Sequence, residues 1–154
     1  MQVTILCVGK LKEKYLKEGI KEYLKRLKSY AKVQVIEVAD EPDTGSIEQI
    51  KEREGERLIK KWPNQAYMFA LRLDGKLYDS VELAQTIDQL QTRGHSHFGF
   101  VIGGSNGLSD TVLSMCQGSL AFGRLTYPHQ LMRLMLIEQI YRIERINAGH
   151  SYHK

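Results

Sequence analysis

The feature that most constrains this chain is its regular alternation. Short β-branched runs are followed, end to end, by stretches with helical spacing of apolar residues. Val3 to Gly9 reads as a buried strand, and Val33–Val38, Ala66–Leu73, Phe98–Ile102 and Leu120–Phe122 read as four more. Between them, Lys12–Ser29 places Leu16, Ile20, Tyr23, Leu24 and Leu27 on one helical face. Ser46 with Gln49 has the form of a capping box opening a charged surface helix to Lys61. Asp79 with Glu82 opens another, with Leu83, Ala84, Ile87 and Leu90 facing inward. Ser109 or Asp110 caps a short helix to Gln117, and Pro128, in the manner of a first-turn proline, opens a last one to Ile146. Strand and helix alternating in this way predict one α/β domain over residues 1–154, with a mostly parallel sheet and helices on both faces. Asp40 to Gly45, polar with Pro and Gly, predicts an exposed, mobile loop.

Ligands of such sheets bind beyond the carboxyl ends of the strands. Two strand ends stand out there. The first is Gly103-Gly104-Ser105-Asn106-Gly107, where glycines allow positive φ and close backbone approach to a ligand, or simply a tight turn. The spacing is neither GxGxxG nor a Walker A loop, which disfavours nicotinamide and nucleoside triphosphate sites. The second is the segment from Phe122 to Pro128. A side chain at Gly103 is expected to intrude on the ligand.

The last helix is apolar nearly all round, with nine of the thirteen residues from Leu131 to Ile143 apolar. Burying every face of such a helix calls for either the middle of one chain or a second copy of it, and a two-fold homodimer is expected. Glu138, Arg142 and Arg145 share one face of it, as a structural ion pair or as part of a site.

The net charge is +4, yet nine basic residues against three acidic ones between Lys10 and Lys32 give that segment alone +6. This is either a solvated helix face or a surface that neutralises phosphates. Cys7 and Cys116 lack a CxxC partner or a histidine at ligand spacing, so two reduced thiols and no metal site are expected. His95 and His97 are expected to be exposed beside a turn. The N-terminal apolar run is too short to span a bilayer and lacks a basic flank, so the chain is expected to be cytoplasmic, without a membrane. No GxSxG elbow or zinc-type histidine pair is present, which leaves hydrolase readings little support.

Phe100-Val101-Ile102-Gly103-Gly104-Ser105-Asn106-Gly107-Leu108 resembles the cofactor loop of the SPOUT-class methyltransferases that methylate N3 of a pseudouridine in large-subunit ribosomal RNA. Leu125 to Arg133, Leu136 to Arg142, the terminal Tyr152-His153-Lys154 and the opening Val8 to Lys12 are similar to further motifs of that family, in order and over the whole chain. The resemblance implies a C-terminal trefoil knot holding S-adenosylmethionine. The implied cofactor contacts are Leu71, Gly103, Gly104, Phe122, Gly123, Arg124, Leu125, Thr126 and Tyr127. It implies an acceptor in the assembled ribosome and a homodimer whose tails complete each other's sites. His129, Glu138, Arg142, Tyr152 and His153 are the candidate catalytic residues, with roles unassigned. Two departures stand out: Gly123-Arg124-Leu125 replaces a common Ser-Lys-Met, and Ala148 or Gly149 stands where a basic residue is common. The rival reading from the residues alone is a non-catalytic RNA- or ribosome-binding module.

Overall fold

A computed structural model describes residues 1–154. The elements follow in the order β1 (Gln2–Val8), α1 (Lys14–Leu27), β2 (Lys32–Val38), α2 (Ile47–Lys60), β3 (Tyr67–Leu71), α3 (Ser80–Thr92), β4 (His97–Ile102), α4 (Asp110–Ser114), β5 (Gly118–Leu120) and α5 (His129–Asn147). The five strands form one sheet in the order β2-β1-β4-β3-β5, with every pairing parallel. This is the α/β sandwich that the alternation predicts.

The three central strands, β1, β4 and β3, read as near-continuous apolar runs because both sheet faces are covered there. Along β1, Val3, Ile5 and Cys7 point into the larger core with Ile20, Leu83, Leu136 and Ile140, from α1, α3 and α5. Leu6 and Val8 point the other way, into a smaller core with Leu58 and Val112, from α2 and α4. Crossovers toward β2 run over the first face and those toward β5 over the second, so all four have the same hand, as parallel sheets require. No helix is long and apolar enough to cross a membrane.

Several boundaries differ from the sequence expectation. Ser46 Oγ accepts the Gln49 backbone N–H at 3.2 Å, but the cap is one-sided. The reciprocal capping box forms at Asp79 and Glu82. Each such cap contributes about 1 kcal/mol. Ser109, and not Asp110, caps α4. Pro128 sits at the N-cap in extended backbone, φ −55° and ψ 134°, so the helix begins one residue later. β5 ends at Leu120 because the chain beyond it leaves β3 for a second partner. Leu120 O accepts the Arg72 N–H, the Ala121 N–H donates to Lys76 O, and Leu77 and Ala121 form a parallel bridge. Residues 72–77 therefore straddle the end of β5. The loop at residues 40–45 is exposed yet anchored: Glu41 pairs with Arg53 and Arg57, and Asp43 accepts from Asn106 of the glycine loop.

His97 is not an exposed turn residue. It lies in β4, half-buried, with Nε2 2.8 Å from Thr4 Oγ1. Burial pushes its imidazole below the ordinary value of about 6.5. The unfolded chain then binds the proton more readily than the folded one. The stability at stake is complete above about pH 6.5 and is lost as the pH falls through the lowered folded value. In urea unfolding between about pH 7.5 and about pH 5.5, the wild type should lose more stability than His97→Gln. Parallel curves for the two would contradict this.

Candidate functional site

The carboxyl ends of β3 and β4 open into a cavity of about 570 Å³. Gly103 and Gly104 follow β4, and the turn closes where the Gly107 N–H donates to Gly104 O at 3.0 Å. The other wall is the irregular segment from Phe122 to Pro128, and His129 and Met132 from the first turn of α5 complete it. Leu71, Ile102 and Phe122 supply apolar surface. Gly107 and Gly123 have φ of +88° and +102° and nothing within 4 Å of the place a Cβ would take. Each is a left-handed backbone position facing open space, suited to a ligand held through main-chain groups.

Of the nine expected cofactor contacts, eight line this cavity: Leu71, Gly103, Gly104, Phe122, Gly123, Leu125, Thr126 and Tyr127. Arg124 is the exception and stays exposed outside the lining. Gly103 also needs a different explanation from the expected one. A Cβ there would lie 2.7 Å from the Gly107 carbonyl carbon, so the glycine is required by the closure of its own loop.

Two buried charges that the sequence reading did not single out brace the region. Glu54 of α2, 4% exposed, lies beneath the glycine loop, its carboxyl oxygens 3.2 and 3.3 Å from the place a Gly104 Cβ would take. Burial pushes its carboxyl up, opposed by the Glu41 N–H that it accepts. Arg133, 1% exposed, donates to Glu37 of β2 and to Gly9 O at the end of β1. It thereby pins α5 to two strand ends. Its place one helical turn after His129 was the available signal.

The candidate catalytic residues fall into two groups. His129 stands on the cavity wall, with Nε2 3.6 Å from the place a Gly9 Cβ would take. Burial first and Arg133 second lower its pKa, so the imidazole is neutral at neutral pH and able to accept a proton. Glu138, Arg142, Tyr152 and His153 gather farther along α5. Arg142 Nη2 donates to Glu138 Oε1 at 2.9 Å, Tyr152 Oη donates to the same carboxylate at 3.1 Å, and Arg142 Nη1 lies 3.1 Å from His153 Nδ1. The Arg142 guanidinium also covers the Tyr152 ring at 4.8 Å. Burial, then hydrogen bonds with Tyr23 and Glu138, push the Tyr152 hydroxyl up to about 12, so it stays protonated and is no base at neutral pH. Arg145 does not join this group and donates to Tyr30 Oη.

Met132 and Arg142 are ten residues apart on one helix, or about 15 Å along its axis. The tail packs on its own α5, and His153 lines a second hollow beside Phe122 and Gly123. Burial pushes the Cys7 and Cys116 thiols up to about 11, so both stay protonated.

A family model described as "Predicted SPOUT methyltransferase" matches residues 1–153. Proteins named ribosomal RNA large subunit methyltransferase H are similar over the full length of both chains. Those from Listeria monocytogenes, Bacillus pumilus and Enterococcus faecalis are 54%, 52% and 52% identical. A strand-end cavity walled by bare backbone, in a chain matched over its whole length, leaves one assignment: the chain belongs to the SPOUT methyltransferase family.

Proposed function

We propose that this chain, as one catalytic domain, transfers a methyl group from S-adenosylmethionine to N3 of a pseudouridine in large-subunit ribosomal RNA. The acceptor is the assembled subunit in the cytoplasm, and the active form is a homodimer. The observation that carries this reading is the cavity between the glycine loop and residues 122–127, in a SPOUT-family chain whose relatives are named for ribosomal RNA methylation.

The residues fit that donor. A nucleoside needs a flat apolar slot and main-chain hydrogen bonds, which Leu71, Ile102 and Phe122 and the backbone of residues 123–127 supply at a volume usual for small-ligand pockets. Bound there, S-adenosylmethionine supplies an electrophilic methyl carbon on a positively charged sulfur. The chain's task is then alignment, which can account for much of the rate. Arg142, held by Glu138 and stacked on Tyr152, presents a planar cation to the RNA. The N3 proton must leave, and neutral His129, or His153 beside Arg142, can take it.

Two structural features support the rest. The clasp of residues 72–77 around the end of β5 supports a trefoil knot in the C-terminal half. The half-buried Leu131, Leu134 and Met135 of α5 support a dimer that covers them.

Mass spectrometry of large-subunit ribosomal RNA tests this reading. RNA from cells lacking the protein should be missing one methyl group on one pseudouridine. An unchanged methylation pattern would sink it.

A further inference from the structure

We propose that the groove between α1 and the free edge of β2 is a docking track for the ribose–phosphate backbone of RNA, separate from the cavity that holds the methyl donor. The inference rests on the RNA-methylating reading above and adds where the substrate is gripped.

The groove encloses about 1070 Å³ and carries Lys17, Lys21, Lys25, Lys28 and Lys32 on its walls. All five are exposed, and none forms an ion pair. Glu18 and Glu22 also line the groove, and each is held by a cation that does not. Lys14 holds Glu18 at 3.9 Å, and Arg26 holds Glu22 at 3.2 Å. Five cations on its walls against two carboxylates that are already paired leave the groove net positive, which attracts anions.

The spacing suits a polyphosphate strand. Lys17, Lys21 and Lys25 recur every four residues, which places them about 6 Å apart along the helix axis. That interval is comparable with the separation of successive phosphates in a nucleic-acid strand. The floor is apolar, with Ile20, Leu24 and Val33, and it has no aromatic side chain. Such a groove can grip a backbone but cannot stack a base, so it should bind without sequence preference. Its upper end is Leu11, whose neighbours Lys10 and Lys12 are hydrogen-bonded through their backbones to the Gln130 side chain. Gln130 adjoins His129 on the donor cavity wall. A strand laid along α1 therefore ends where the chemistry begins.

The test is the triple variant Lys17→Gln, Lys21→Gln, Lys25→Gln, which keeps helix propensity nearly constant. Binding of a fluorescent oligouridylate is measured across a salt series, and methylation is measured on large subunits. Removing three phosphate contacts should lower oligouridylate affinity roughly tenfold to a hundredfold at low salt and flatten the log–log salt slope by about 2. On large subunits KM should rise with kcat retained, and S-adenosylmethionine binding should be unchanged. Arginine at the same three positions should restore the slope. Oligouridylate affinity and slope equal to wild type overturn the proposal and leave the methyltransferase reading intact. Loss of binding to large subunits alone also overturns it, because the groove would then hold a ribosomal protein. A change of oligomeric size on gel filtration overturns it too, because the groove would then be an interface between copies. A wild-type chain that methylates no ribosomal RNA removes the underlying reading first.

Discussion

Arg142→Ala should lower turnover by about a hundredfold to a thousandfold while leaving donor affinity unchanged. Arg142 is the hub of its cluster: Glu138, Tyr152 and His153 all meet it directly or through the shared carboxylate. Its truncation frees all three at once. Lysine should not rescue, because a point charge cannot reproduce a planar fork that pairs with Glu138 and stacks on Tyr152 together. The donor cavity does not include Arg142, so calorimetry with S-adenosylmethionine should give the wild-type isotherm. Turnover within about threefold of wild type would remove Arg142 from the chemistry.

Thr126→Trp should abolish donor binding, by at least about a hundredfold, because an indole would occupy the space that the apolar slot offers to adenine. Thr126 is exposed on an irregular segment, so the core does not have to move to accept the larger side chain. This is a cleaner probe than a substitution at Gly103, where the first carbon already collides with the Gly107 backbone. Arg142→Ala and Thr126→Trp together test the shared site. Mixed and allowed to exchange, half of the dimers should contain one chain of each kind, with one doubly damaged site and one intact site. Activity should return to about a quarter of wild type in a two-fold dimer. A mixture as inactive as its parts, with mixed dimers confirmed, would show that each tail serves its own cavity.

Much of this architecture is legible in the sequence because it depends on local rules. The five strands and five helices follow from periodicity and caps, and the strand-end cavity follows from where glycines and irregular segments fall in a parallel sheet. What was not legible depends on partners distant in sequence. His97 reads as exposed because it stands beside a turn, yet its ring meets Thr4, ninety-three positions away. The sequence places β5 two residues late because Ala121 and Phe122 are as apolar as a strand, while the bonds that draw the chain away come from Lys76 and Leu77. Glu54 carries no sequence signal of burial and Arg133 only its place one helical turn after His129, since charged residues are rarely fully enclosed unless paired. The Glu138–Arg142 pair was legible from its four-residue spacing, but its junction with Tyr152 and His153 required the tail to fold back.

The most direct measurement is methyl transfer in a reconstituted system. Large subunits from cells lacking the protein are incubated with the purified chain and methyl-labelled S-adenosylmethionine, beside naked large-subunit RNA, and the label is located by mass spectrometry. One methyl group is expected on N3 of a single pseudouridine in the assembled subunit, far less on naked RNA, and none with Thr126→Trp. Tight binding to the subunit without any transfer of label would contradict this and leave an RNA-binding module in place of an enzyme.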